Sequence, residues 1–397
     1  MNESSKPIVL DGAVGEGGGQ ILRTGLALSA ITSVPVEIIN IRARRSKPGL
    51  AAQHLTGVRA VAAACNGRLE GDFLGSDRVA LVPGEIRAGE YELDIAAETP
   101  SAGAITLVIQ ALLPVLALAD GASRVLLQGG THVEWSPSFH YLDQVLRPTL
   151  AVLGVHFQVH LRSWGWYPRG GGAVEVEIAG TAEMNRVEWT ERGSLQSITG
   201  VSVVSNLPSH IAERQAHAAR DMLAALLPNV PIDIAEEWVE GVGRGSFCFL
   251  RAEYGGGGSG GRSDGGSGGD GGDGGGGGGG DGGGRGGRGG RDSVLQVPPS
   301  GFSALGRRGK RAETVGQEVA GALLSHLRNG AVLEDHLADQ VLPFLALASG
   351  ASLCTVPQVS SHLRTNAWVC ERLLDIRVGL HEDLPCTVEV HGAGWQR

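Results

Sequence analysis

Apolar and polar positions fall along this chain in a recurring block. A short apolar run at residues 8–10 precedes Asp11-Gly-Ala-Val-Gly-Glu16-Gly-Gly-Gly-Gln20-Ile-Leu-Arg23-Thr24, which leads into an Ala/Leu-rich stretch at 21–31. That order predicts strand, glycine loop and helix. Gln20 is followed by Leu26-Ala27-Leu28-Ser29-Ala30, Gln110 by Leu116-Ala117-Leu118-Ala119, and Gln340 by Leu345-Ala346-Leu347-Ala348. After each comes a strand-like run (36–41, 124–128, 352–356), a loop, and a second helical pattern (53–65, 139–153, 365–374). Three copies of one α/β unit form a specific signal, because such units bury their apolar faces against one another.

The spacing of the copies predicts an insertion. Leu116 follows Leu26 by 90 residues, whereas Leu345 follows Leu116 by 229, an excess of 139. That excess suits a small domain plus a linker. The expected organisation is a core at 1–184 and 329–397 with an inserted α/β domain at 185–328. Inside the insertion, 197–204 and 246–251 read as strands, and 211–227 and 312–327 as helices. Residues 255–291 are almost all glycine and cannot bury apolar surface, which predicts a disordered linker or loop. It joins two strand-like runs, so an extended hairpin connection is the simplest placement. Its end, Arg285-Gly-Gly-Arg288-Gly-Gly-Arg291, resembles RNA-binding RGG segments, although the aspartates before it offset those arginines.

Composition narrows the classes. A net charge of −9 argues against a protein that coats nucleic acid, so any RNA must be met by a local basic patch. Five cysteines without CxxC spacing argue for reduced thiols in a cytoplasmic protein, and against zinc or a disulfide framework. Residues 1–7 do not resemble a signal peptide. The longest apolar run, 104–119, is broken by Thr106, Gln110 and Pro114 and falls short of the ~20 residues that span a bilayer. No membrane and no obligate protein partner is expected.

Candidate chemistry gathers in the loops. Glu16, with glycine on both sides, suits a carboxylate that shares a divalent cation with a phosphate, though a tight strand-to-helix turn explains the loop equally well. The loop lacks the Lys-Ser/Thr ending of a P-loop and fails GxGxxG. Residues 41–49 carry Arg42, Arg44, Arg45 and Lys47 before a Pro-Gly turn, an anion-binding patch or a solvated surface loop. Arg23, Gln53 and His54 could add donors to it. His362 falls between a predicted strand and a helix, and a histidine with an ordinary pKa of about 6.5 is mostly neutral at pH 7. It is a candidate base, metal ligand or nucleophile, or simply a helix cap. His336-Leu337-Ala338-Asp339-Gln340 brings an acid and an amide into an apolar helix, fit for a nucleobase or ribose or for capping. No GxSxG, HExxH or EF-hand pattern is present.

Five stretches together resemble the RNA 3′-terminal phosphate cyclase family: 11–23, 41–50, 165–172 (Gly-Trp-Tyr-Pro-Arg-Gly-Gly-Gly), 336–340 and 361–366 (Ser-His-Leu-Arg-Thr-Asn). The resemblance implies an α/β (α+β) fold of three βαβαββ-like units, akin to enolpyruvyl transferases, with a smaller inserted domain. It implies ATP and Mg2+ or Mn2+ as cofactors, and an RNA with a 3′-phosphate end as partner. The product would be a 2′,3′-cyclic phosphate. His362 matches the histidine that becomes covalently adenylylated, and Glu16 the metal-binding acid. Gln110, Pro137, His336, Leu337, Ala338, Asp339 and Gln340 match positions around the adenosine. Arg23, Arg42, Arg45, Gln53 and His54 match the phosphate- and RNA-binding set, and Phe302 an aromatic laid against the adenine. Two positions depart from the pattern: His336 stands where tyrosine is frequent, and Trp164 where a basic residue is usual. A non-catalytic cyclase-like protein of rRNA processing shares the fold, but His362 and Glu16 speak against it. An enolpyruvyl transferase would share only the architecture.

Overall fold

The computed structural model describes residues 6–180, 183–255 and 297–395. The glycine-rich stretch 255–291, apart from Gly255, lies outside them. The first unit runs β1 (Ile8–Asp11), α1 (Gln20–Thr32), β2 (Val36–Ile39), α2 (Ala52–Ala64), β3 (Arg68–Glu70) and β4 (Val79–Val82). The second runs β5 (Glu90–Asp94), α3 (Ile105–Ala117) and β6 (Ser123–Gly129). It continues with α4 (Phe139–Tyr141), a π-helical stretch (Leu142–Leu146), α5 (Arg147–Val152), β7 (Phe157–Ser163) and β8 (Gly172–Ile178). The third starts with β9 (Glu188–Trp189) and resumes, after the insertion, with α8 (Asp335–Leu347), β14 (Ser349–Val356), α9 (Ser361–Leu374), β15 (Val378–His381) and β16 (Cys386–Ala393).

The three sheets share one topology. Strand orders are β1-β2-β4-β3, β5-β6-β8-β7 and β9-β14-β16-β15, so each unit places its strands first, second, fourth, third. The first pair is parallel in every unit and the remaining pairs antiparallel. A parallel pair needs a crossover, and an apolar helix lies between the first and second strands of each unit: α1, α3 and, beyond the insertion, α8. In α1, α3 and α8 nearly every residue is buried, as expected of helices enclosed by protein on all sides. In α9 one broad face is buried, with Leu363, Asn366, Ala367, Val369, Cys370, Leu373 and Leu374, and the other is open. The third unit therefore begins before the insertion. Glu188 and Trp189 pair with Leu353 and Cys354 of β14, and two residues are too few to show an alternating pattern in the sequence.

The insertion comprises β10 (Leu195–Ser205), α6 (His210–Leu226), β11 (Ile232–Val239), β12 (Gly245–Tyr254), β13 (Ser300–Leu305) and α7 (Ala312–Asn329). Its sheet, β11-β10-β12-β13, carries α6 and α7 on one face over a separate core of Ile198, Leu223, Leu250 and Leu323. The opposite face, with Val201, Val203, Phe247 and Phe249, joins the main core. β12 and β13 are antiparallel neighbours, Phe247 opposite Leu305 and Ala252 opposite Ser300, so the glycine-rich stretch connects adjacent strands. Among the described residues no helix is long and apolar enough to cross a membrane.

Candidate active site

The glycine loop after β1 lies against α9 and the basic loop. Asp11 Oδ1 accepts from Ala13 N (2.9 Å) and Asn40 Nδ2 (3.0 Å), which fixes the turn. Gly15 has φ +62°, and a Cβ there would collide with Thr365 Oγ1 of α9. A Cβ on Gly19 would stand 2.5 Å from His54 Nε2. Only glycine permits both approaches. Arg44 Nη1 donates to Gly15 O (2.8 Å), so Glu16 is held at the junction of the first and third units.

His362 occupies the first turn of α9, whose N-cap Ser360 accepts from Leu363 N (3.1 Å). Its Nε2 lies 3.0 Å from Glu16 Oε2, and its Nδ1 3.8 Å from Asp339 Oδ2. The side chain is 39 % exposed, reachable yet held on both sides. Burial lowers its pKa, Glu16 opposes this, and Arg23, His336 and Arg45 lower it further. The ring is thus neutral at pH 7 with a lone pair available, as a nucleophile requires.

Around it lie polar groups without partners. Burial raises the Asp339 carboxyl to about 7, against the pull of His336 and Arg23. Its backbone carbonyl accepts from Asn366 Nδ2 (2.6 Å), and Asn366 Oδ1 accepts from Gln20 Nε2 (2.9 Å) and Thr24 Oγ1 (2.7 Å). Gln20 Oε1 in turn accepts from Arg23. Burial pushes the Arg23 guanidinium down to about 10 and, with Arg42, Arg23 and Arg45 nearby, His54 down to about 3. Arg23 Nε, His54 Nδ1, Asp335 Oδ1 and Asp339 Oδ1 are buried with no hydrogen-bond partner. Each such group costs about 1–3 kcal/mol, and Arg23, His54 and Asp339 lie near enough to shift one another's charge through Arg23, so their open atoms suit a polar ligand. Arg45 Nη2 reaches Glu16 at 3.5 Å, while Arg42 spends one donor on Gly49 O (2.8 Å).

The remaining residues lie on α3 and α8 or beside them. Gln110 Nε2 donates to Gln340 Oε1 (2.8 Å), Gln340 Nε2 to His336 O (2.7 Å), and Thr106 Oγ1 to Pro137 O (2.7 Å). Gln53 Oε1 accepts from Ala104 N (2.8 Å). Leu337 and Ala338 turn into the core, which leaves His336, Asp339 and Gln340 to present polar groups. Glu334 caps α8, accepting from His336 N (2.8 Å) and from the Tyr141 hydroxyl, and ties the second unit to the third. Phe302 does not reach this region: it packs in the inserted core, its ring 5.6 Å from that of His326, because its position in β13 faces α7. Trp164 is likewise taken up in packing, stacked on His132 at 4.5 Å. Sequence reasoning gives no role to Thr24, Asn366 or Glu334. Thr24 and Asn366 nevertheless fall within the stretches 11–24 and 361–366, and Glu334 carries an N-cap signal, an acid just before an apolar helix. Among the described residues no three or more His, Cys, Asp or Glu side chains cluster to hold a metal. Glu16 alone fits a cation whose other ligands are phosphate oxygens and water.

Fold and site define an α/β enzyme core of three equivalent units, with a neutral histidine set between carboxylates and arginines where two units meet. The family model for RNA 3′-terminal phosphate cyclase matches residues 14–380. The chain is 43 % identical to an RNA 3′-terminal phosphate cyclase of Methylococcus capsulatus over 96 % of both chains. It is 42 % identical to one of Nostoc punctiforme, over 94 % of this chain and 96 % of the relative. It is 39 % identical to one of Methanopyrus kandleri, over 98 % and 99 %. The chain belongs to the RNA 3′-terminal phosphate cyclase family.

Proposed function

We propose that the protein converts an RNA 3′-phosphate into a 2′,3′-cyclic phosphate at the expense of ATP, releasing AMP and diphosphate. The observation that supports this most is the setting of His362, neutral and flanked by Glu16 at 3.0 Å and Asp339 at 3.8 Å. In this reading Nε2 attacks the α-phosphorus of ATP, the bond to the β-phosphate oxygen breaks, and diphosphate leaves. Asp339 faces Nδ1, holds the ring, and offsets the positive charge of the adenylylated imidazole. The RNA 3′-phosphate then displaces His362 from the α-phosphorus, which leaves AMP joined to the RNA end. The adjacent 2′-OH attacks the 3′-phosphorus, the ring closes, and AMP departs. Arg23, Arg45 and His54 supply donors to the phosphates; Arg23 and His54 each have an atom still free of a partner. A divalent cation, Mg2+ or Mn2+, would be held by Glu16 and would neutralise the triphosphate.

The test is intact mass after incubation with ATP and Mg2+ or Mn2+. A gain of one AMP that is absent in His362→Ala is expected; a folded wild-type protein that never gains it would refute the mechanism. Glu16→Ala should slow the gain and change its dependence on cation concentration. An unaltered rate would remove Glu16 from this role.

A further inference from the structure

The turn at 165–172 plays no part in the chemistry above, yet it carries an exposed aromatic, and the loop bonded to it carries a second. Tyr167 is 76 % exposed, and Trp135, from the loop after β6, is 95 % exposed. The loops that carry them are joined through their backbones. Thr131 N and His132 N donate to Gly165 O (3.0 and 3.2 Å), and His132 bridges to Trp166, so the two loops form one body. Beneath them His132 stacks on Trp164 at 4.5 Å, and Trp164 on Trp166 at 5.6 Å. Trp135 has φ +64°, a backbone conformation that a bulky residue rarely adopts and that is enriched at functional positions. Arg169 projects from the same turn, its Nη1 3.5 Å from Val242 O, on the loop that leads to the exposed Arg244. The exposed acids Glu134 and Glu240 adjoin these loops, so positive charge alone does not define the surface.

Local contacts link these loops to the segments that carry the phosphate-site residues. A Cβ on Gly170 would stand 2.9 Å from Ser101 O, and Ala104 of that same loop donates to Gln53, next to His54. Pro137, two residues after Trp135, accepts from Thr106 on the helix that carries Gln110. A mononucleotide is normally enclosed in a concave pocket, whereas single strands lie on open grooves where bases stack on aromatic rings and arginines meet the backbone.

We propose that Trp135, Tyr167 and Arg169 seat the nucleotides 5′ of the reacting end of a single-stranded RNA. Two bases stack on the rings, and Arg169 pairs with an intervening phosphate. The inference takes its ligand from the cyclase reading. Its test is the binding of a 3′-phosphorylated ten-nucleotide RNA to the full chain, followed by fluorescence anisotropy without ATP. Trp135→Leu/Tyr167→Leu should weaken binding about 10-fold or more, and Trp135→Phe/Tyr167→Phe should restore most of it, since stacking needs a π-face rather than bulk. Arg169→Gln should weaken binding and lower its salt dependence by about one phosphate contact. Unchanged affinity in the leucine pair would overturn the proposal. So would equal loss in the leucine and phenylalanine pairs, or a raised ATP requirement for the AMP adduct with RNA affinity intact. Failure of the wild-type protein to form the adduct bears on the cyclase reading alone, because RNA binding is read without it.

Discussion

His362 and His132 occupy related places: each follows the second strand of its unit, β14 in one case and β6 in the other. Their surroundings differ in every respect that governs reactivity. His132 is 1 % exposed, bonded through Nδ1 to Thr131 Oγ1 (2.8 Å) and through Nε2 to His140 Nδ1 (2.9 Å), and enclosed by Trp164, Trp166 and Phe247. Both ring nitrogens are spent, and burial holds its pKa well below the ordinary value. His362 keeps a path to solvent and has an acid toward each nitrogen. One unit thus uses the loop to dock the inserted domain, and the other to hold a partly exposed imidazole between two acids, the nucleophile of the proposed mechanism. Residue type does not separate the two histidines; the number of nitrogens left free and the neighbouring charge do.

The widest contrast is expected from removing each ring. His362→Ala should abolish the AMP adduct while leaving the melting temperature nearly unchanged, since the side chain is partly exposed and replaces no core contact. His132→Ala should do the reverse, lowering stability by about 2–4 kcal/mol by denaturant titration through a cavity and an unpaired His140. A next break lies in pH. Asp339 has its folded pKa raised to about 7 from 3.8, so the folded state holds a proton that the unfolded state has lost between those values. Its contribution to stability is full below about pH 4 and declines as pH rises through 7. Asp339→Asn should flatten that decline by roughly 2–4 kcal/mol between pH 4 and 8.

The aromatic junction should respond with the opposite sign. His140 is held down to about 4, chiefly by burial, so its contribution is full above pH 6.5 and lost as pH falls through 4. His132→Phe/His140→Phe should soften acid unfolding in that window; His54 and His326, both near 3, keep part of it. A smaller effect is expected from Gly245→Ala, whose Cβ would collide with the Trp166 ring. Overpacking there should cost about 1–3 kcal/mol and leave the rate of adduct formation unchanged.

Much of the core was legible because periodicity follows directly from burial. The second helical pattern at 139–153 and the strand-like run at 124–128 agree within two residues with 139–152 and Ser123–Gly129. β3 and β15 left no usable pattern, being short, and β11 is exposed at successive positions; β7 does alternate apolar and polar residues from Phe157 to Arg162 and is legible as a strand. In the site, His362, Glu16 and Asp339 were legible as residues that carry chemistry. That Phe302 packs in the inserted core was not legible, because an alternating strand gives no sign of which face meets which core.

By itself the sequence determined that one α/β unit occurs three times, that an insertion separates the last two copies of the Leu-Ala-Leu block, and that glycine, histidine and arginine collect in the loops. These are local properties, written in spacing and composition. Tertiary structure decided which loops meet. It placed Glu16 3.0 Å from a histidine 346 positions later, left Asp339 buried with an open oxygen, and closed His132 among tryptophans. Such distances depend on how three sheets and their helices pack together, and that packing is a sum over many weak contacts that no single stretch encodes.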